Sequence, residues 1–391
     1  MENQILHLAE FVSPGHPDRL ADAIAEGMVD HAVAQDERAL VGVEVAVHTN
    51  QVFLDGRIAW RSGQATPTPP VDEIVRDVYR RAGYGSRWSP APEALVITGD
   101  LCRENLSEDE AALRGNSDDQ NIVIGYATPD PGVNQLPPAH FVANQLGRRL
   151  WSWRNHSNVE FGGERRAVHE ILGPDFKLLP QLIETPTASG GSHWSWRRLT
   201  LSMQHVPGFY YEHQHRMLYP PVKEICRQLC AESGLVGVEN IEPDHLFLNG
   251  AGDFHVGGPQ GDNGLSGKKL VVDHYGPDVP IGGGALCGKD PHKIDRVGPL
   301  RARQLARQIA RANGTHTKVR FAWEPGESAP FDIQVLIERD GRWVLPPSLI
   351  LPPRDWFTVE ATFAALNLKE VNWQRVLQNG YFADPGVSWE N

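Results

Sequence analysis

Residues 252–296 constrain this chain more than any other stretch. They read GDFHVGGPQGDNGLSGKKLVVDHYGPDVPIGGGALCGKDPHKIDR. Two glycine-rich loops flank a short apolar run, Leu270–Val272, which its composition predicts as a strand. Asp262, Lys268 and Lys269 precede the run, and Lys289, Lys293 and Asp295 follow it. Glycine lets backbone N–H groups approach a ligand closely. Lysine supplies point charges for phosphate, and a carboxylate supplies the hard oxygen that magnesium prefers. Together these residues point to the handling of a polyphosphate. Gly283–Asp290, GGALCGKD, comes close to a P-loop. A P-loop requires Ser or Thr after the lysine, between a strand and a helix. Asp290 and Pro291 stand there instead, so this is a phosphate loop of another kind, or a solvated glycine turn with incidental lysines.

Local charge matters because the chain as a whole carries a formal −12. Such a surface argues against general binding to nucleic acid or to an anionic membrane, and a polyanionic substrate would need locally concentrated lysine. At 391 residues, two or three domains are expected. No run of about eighteen apolar residues suggests a membrane span. The opening MENQILHLAEF lacks the basic and apolar regions of a signal peptide, so a cytoplasmic location is expected. Cys102, Cys226, Cys230 and Cys287 show no paired metal spacing and read as reduced thiols, with Cys226 and Cys230 able to share a helix face. His213 and His215 form an isolated HxH, which reads as part of a polar strand or loop.

Residues 13–19, SPGHPDR, open a helix whose apolar face repeats as Leu20, Ile24, Met28 and Ala32. Pro17 suits its first turn, with His16 and Asp18 at the entrance either capping it or meeting an anion. Ala39–His48 alternates as a half-buried strand, with Glu44 opposite the valines, and Val52–Trp60 returns from it. Pro-rich residues 67–70 and 90–92 bracket a helix, and Leu95–Thr98 is a short strand. Residues 99–119 are polar and acidic, either a mobile loop or a solvated connector. Strands are expected at Asn121–Tyr126, His193–His205, Leu246–Leu248, Lys318–Trp323 and Phe331–Ile337. Helices are expected at Pro137–Trp153, Pro221–Ser233 and Pro299–Ala312, and a turn at Gly173–Lys177. The mixture predicts an α+β chain of three helix-backed sheet domains. The expected segments are 1–100, 114–245 and 246–391, with 99–119 as a mobile loop.

Five segments in this order and spacing resemble one family. They are SPGHPDR, DDQNIVIGYAT at 118–128, GPDFK, and the two central loops, with GYFADPGVSWE at the C-terminus resembling that family's ending. The family is S-adenosylmethionine synthetase, also called methionine adenosyltransferase. The likeness covers nearly the whole chain but is thin over 140–245. It implies three similar α+β domains around a pseudo-threefold axis, and two subunits sharing each active site in a homodimer, with a tetramer as a further possibility. It also implies attack of methionine sulfur on the ribose 5′ carbon of ATP, then hydrolysis of the displaced triphosphate, with two magnesium ions and one potassium ion. By matching position, His16 would stabilise triphosphate departure. Asp18 and Asp295 would bind magnesium, and Glu44 potassium. Lys177, Lys268, Lys269, Lys289 and Arg296 would neutralise the triphosphate. Asp119 and Asp175 would contact the nucleoside, Phe254 would stack on adenine or the substrate, and Asp262 and Lys293 would face methionine.

The likeness breaks at the amino-acid end. Arg57 stands where the family has a glutamate that receives the substrate ammonium, with Asp55 two residues away. The family's loop glutamine falls near Leu101. Pro14, Arg19, Asn121, Asn263 and AWEPGESAP also depart from the pattern. Reversing a charge at short range is worth several kcal/mol. The alternatives are therefore a same-fold transferase with another acceptor, a non-catalytic nucleotide-binding homologue, and a bare tripolyphosphatase.

Overall fold

The computed structural model describes residues 4–61, 70–188 and 191–391. Residues 67–69 of the first Pro-rich stretch lie outside them. In chain order the first third holds β1 (Ile5–Leu8), β2 (Phe11–Val12), α1 (Pro17–Gln35), β3 (Leu40–His48), β4 (Gln51–Trp60), α2 (Val71–Ala82), β5 (Val96–Asn105), α3 (Glu108–Leu113) and β6 (Asn121–Ala127). The middle holds α4 (Pro138–His156), β7 (Asn158–Phe161), β8 (Glu164–Ala167), β9 (Leu172–Pro186), β10 (Ser192–His205), α5 (Tyr211–Ser233) and β11 (Leu246–Leu248). The last part holds β12 (Gly264–Leu265), α6 (Leu270–Asp273), α7 (Ile294–Asn313), β13 (Thr317–Trp323), β14 (Asp332–Arg339), β15 (Arg342–Val344), α8 (Val359–Ala365) and α9 (Trp373–Asn379).

The fold is α+β, built on three main sheets. One orders β1-β9-β10-β11, with β2 also on β9; the second orders β12-β3-β4-β5; the third orders β15-β14-β13-β6. Each sheet draws strands from distant parts of the chain. The third joins 121–127 to 317–344, so the segments 1–100, 114–245 and 246–391 do not each close on a sheet of their own. Helix α1 is the spine. Leu20, Ile24, Met28 and Ala32 are fully buried, as the repeat predicts. Its other side carries buried Asp18, Asp22 and Glu26 and half-buried Asp30, which recur every four residues and each find a partner. That stripe of carboxylates was legible in the spacing and was missed.

Four local expectations are corrected. Leu270–Val272 is not a strand but part of α6, a single helical turn. Three apolar residues read alike in either state, and the turn brings Asp273 onto Arg19 at 2.5 Å. Gly173–Lys177 is not a turn but the start of β9. Residues 99–119 are not one loop: 99–105 continue β5 in parallel register with β4, and α3 follows with a Ser107–Glu110 capping box. The HxH lies on helix α5, where His215 meets the Pro243 carbonyl. Prolines also fall inside helices rather than opening them: Pro220 and Pro221 in α5, Pro299 in α7.

Candidate active site

The entrance to α1 is fastened to β9. The Ser13 N–H donates to the Phe176 carbonyl at 2.9 Å, and the Ser13 hydroxyl bridges the Pro174 carbonyl and the Phe176 N–H. Tyr84 donates to the Gly15 carbonyl at 2.6 Å. Gly15 lies so close to Pro174 that a Cβ would collide with it. This sets His16 beside the strand that carries Asp175 and Lys177. His16 caps α1: its Nδ1 accepts the Asp18 N–H at 3.1 Å, so the ring proton sits on Nε2. Burial pushes its pKa down to about 3; Lys269, Lys177 and Arg19 push the same way, against Asp18. His16 is thus a neutral N–H donor at ordinary pH.

Lysines and carboxylates then converge in pairs. Lys269 Nζ lies 2.5 Å from Asp18, and Lys268 Nζ 3.7 Å from it. The Leu265 N–H also donates to Asp18. Burial works to raise the Asp18 pKa, but Lys269 and that N–H prevail and hold it below the ordinary carboxylate value. Lys289 pairs with Asp295, which Asn121 also meets, and Lys293 pairs with Asp118 at 2.5 Å. Gly267 packs against Ala285, so the two glycine loops touch. Lys177 is exposed and has no ion pair among the described residues.

Residues 114–121 run along the second loop with three clasps: Arg114 to Asp290, Asp118 to Lys293, and Asn121 to Asp295. Arg114 is buried and also donates to the Arg38 and Ala39 carbonyls. Asp290 is fully buried and takes the Val41 and His292 N–H groups as well. Neither residue was singled out from sequence as part of the site. The only signal was that Asp290 directly follows Lys289.

The outer face of the β3-β4-β5 sheet adjoins this loop, since Gly42 bridges to Lys289 and pairs with Arg57. Arg57 is held by Glu104 at 2.6 Å and by both oxygens of Glu110. Arg57 and the Ser107 N–H hold the Glu110 carboxyl down at about 2. The expectation for Leu101 is corrected. It lines a cavity with Leu54, Val71 and Ile97 on the α2 side of the sheet, and Cys102 is the residue opposite Arg57. Glu44 does lie on the outer face, 2.5 Å from the Ser266 hydroxyl, with Asp55 opposite it.

Of the other expected residues, Arg296 stands apart. Arg296 is corrected outright. It is fully buried, pairs with Glu26 at 2.6 Å, donates to the Leu286 carbonyl and lies 4.0 Å over the Trp373 ring. Asp175 is buried and accepts the Gly258 N–H at 2.7 Å. Burial raises its pKa to about 6, opposed by that N–H and by Lys177. Phe254 is half-buried against Gly257. Asp119 and Asp262 are exposed, each accepting the N–H of the following residue. The donor chemistry fits the implied ions: Asp18 and Asp295 offer hard oxygens among the lysines, and Gly284 leaves space that a Cβ would take from Asp295. Glu44 and Ser266 offer oxygens for a monovalent cation.

Residues 4–93 match the S-adenosylmethionine synthetase N-terminal domain, and residues 256–391 match the C-terminal domain. The chain belongs to the S-adenosylmethionine synthetase family. An S-adenosylmethionine synthase from Thermus thermophilus is 31% identical over 98% of this chain and 94% of its own length. One from Zymomonas mobilis is 31% identical over 86% and 81%. A solved S-adenosylmethionine synthetase from Campylobacter jejuni shares the fold, with a TM-score of 0.77 and 22% identity, covering 99% of this chain and 97% of that one. Among the described residues no helix is long and apolar enough to cross a membrane.

Proposed function

We propose that this chain is a methionine adenosyltransferase, joining methionine to ATP to give S-adenosylmethionine, pyrophosphate and phosphate. The observation that carries the reading is the pairing of Lys269 with Asp18 beside a neutral His16, joined by the Lys289–Asp295 pair of the second glycine loop. Thioether sulfur is already nucleophilic, so no strong base is needed. The barrier lies in the negative charge of the leaving triphosphate, and fixed donors aimed at developing charge are the strongest available remedy. His16 Nε2–H donates to the departing oxygen without bringing a proton to be lost. Lys177, Lys268, Lys269 and Lys289 take the remaining oxygens. Asp18 and Asp295 would hold magnesium, which supplies further positive charge against the triphosphate. Glu44 would hold potassium. Each lysine that turns to phosphate frees a carboxylate for magnesium, so the pairs support binding of both together.

Asp119, Asp175 and Phe254 are proposed to meet the nucleoside, Asp262 and Lys293 the acceptor. Arg296 is left out, since its guanidinium faces Glu26. A homodimer is proposed as well, supported by exposed Phe53, Val96 and Leu265 on the outer face of the β3-β4-β5 sheet.

The test is purified protein with ATP, magnesium and potassium, with and without L-methionine. Nucleoside products are followed by mass spectrometry, and phosphate and pyrophosphate by ion chromatography. S-adenosylmethionine with matching pyrophosphate is expected; ATP binding without that product overturns the reading. A second reading, another acceptor, is favoured by Arg57 in the place of an ammonium-binding carboxylate. It predicts poor turnover of methionine that Arg57→Glu improves, and normal turnover in the parent, undiminished in that variant, sinks it.

A further inference from the structure

We propose that His205, Asp253 and His255 form a site for a divalent transition-metal ion, of which zinc is the natural probe. The three lie outside the lysine cluster, at the end of β10 and in the segment facing it. Their ligand atoms all fall within 4.8 Å of one another. The His205 and His255 rings stand edge to face, 4.8 Å between centroids.

Two observations bear on what the group can take. The first is the His205 tautomer. Its Nδ1 lies 3.0 Å from the Val206 carbonyl, which can only accept, so Nδ1 carries the proton and Nε2 presents its lone pair. A backbone carbonyl on the far nitrogen is the arrangement that orients a ligating imidazole. The second is His255 Nε2, which is buried, has no hydrogen-bond partner among the described residues and lies 3.8 Å from Asp253 Oδ2. A buried nitrogen left unpaired is costly, so an ion there relieves a penalty already present.

His205 Nε2 is occupied at rest, and the ion must compete for it. One lone pair is shared between the Phe254 N–H at 3.1 Å and the Gln214 side-chain N–H at 3.2 Å. Both lie at the upper end of the ordinary range, and a neutral hydrogen bond contributes only modestly once its exchange with water is counted. Metal–imidazole and metal–carboxylate bonds exceed that readily. Bonds of about 2.0–2.1 Å place tetrahedral ligands roughly 3.4 Å apart, so the widest pair must draw in by up to about 1.4 Å. Asp253 is exposed and free to do so. Two imidazoles and one carboxylate favour zinc, cobalt, nickel or copper over magnesium, which keeps to oxygen. Asp253 and His255 flank Phe254, so metal loading also takes hold of the backbone that His205 now steadies.

The experiment uses the full chain stripped with a chelator. Zinc uptake is measured by calorimetry under excess magnesium, which saturates the carboxylates of the phosphate site. Cobalt(II) substitution reports nitrogen ligation by its visible absorption. We expect saturable uptake of one ion per chain, with a cobalt spectrum typical of low coordination. Asp253→Asn and His255→Ala should each weaken zinc binding about tenfold or more. Both side chains are part-exposed, so these variants keep the fold. His213→Ala, on the exposed face of α5, should leave uptake unchanged. Absence of saturable uptake under magnesium overturns the site, as does uptake that neither variant weakens. Neither readout uses catalytic turnover, so failure here is separate from failure of the transferase reading.

Discussion

The proposed phosphate end and the proposed amino-acid end of this site are built differently. The phosphate end is made of loops fastened by buried contacts: Ser13 to β9, Gly15 under Tyr84, Arg114 through Asp290. Its working side chains project from backbone that has little freedom. The amino-acid end is an open sheet face, where Arg57, Glu104 and Glu110 hold one another through part-exposed ion pairs. Buried, hydrogen-bonded charges cost several kcal/mol to disrupt, whereas exposed pairs contribute about 0–1 kcal/mol. The chemistry common to the proposed reaction sits on the rigid part. Arg57, the departure that reverses a charge, sits on the open face, whereas Arg19, another departure, is buried between Asp22 and Asp273.

That contrast can be broken most sharply at Arg114. Arg114→Ala leaves Asp290 buried and unpaired, and should cost about 3–5 kcal/mol in thermal or denaturant unfolding. A loss below 1 kcal/mol would mean the 114–121 segment is not fastened as described. Within the rigid end, Lys269→Ala should lower kcat about 10²–10³-fold, measured as pyrophosphate release, and should also lower the melting temperature, because buried Asp18 keeps only the Leu265 N–H and the more distant Lys268. At the open face, Arg57→Ala should leave the fold intact while residues 107–113 lose about tenfold in amide-exchange protection, roughly 1.4 kcal/mol. Unchanged protection there would place the two ends on the same footing.

Acidity separates them further. The folded pKa of His16 is depressed, so between about pH 6.5 and its folded value near 3 the unfolded chain binds a proton that the native chain does not. Its contribution to stability is therefore lost as pH falls below 6.5. An NMR titration should show the His16 ring neutral down to about pH 4. Glu110, held at about 2, stays ionised through the same range, so the clamp on α3 outlasts the change at His16. The smallest effect belongs to the capping box: Ser107→Ala should cost about 1 kcal/mol or less and register only in the exchange of α3.

These two ends were also unequally legible. The glycine loops, their lysines and the α1 entrance stand in the sequence because local composition encodes backbone approach and charge. What failed depends on distance or on a single step of register. Arg114 and Asp290 are 176 residues apart, and nothing local marks them as partners. Arg296 reads as a phosphate arginine until Glu26 is seen beside it. Leu101 and Cys102 differ by one position, and a strand puts neighbours on opposite faces. Leu270–Val272 is too short for periodicity to tell a turn of helix from a strand.

The pairing of Lys268, Lys269, Lys289 and Lys293 with Asp18, Asp295 and Asp118 has a kinetic consequence. Three carboxylates offset most of the charge of these four lysines, so the cleft projects only a weak positive field into solvent, and the chain around it is acidic. An approaching nucleotide therefore gains little from electrostatic steering until it is nearly seated. Its association rate should be modest and only shallowly dependent on ionic strength, unlike that of a site lined with bare lysines. Discrimination would then rest on what happens after encounter, through the dissociation rate.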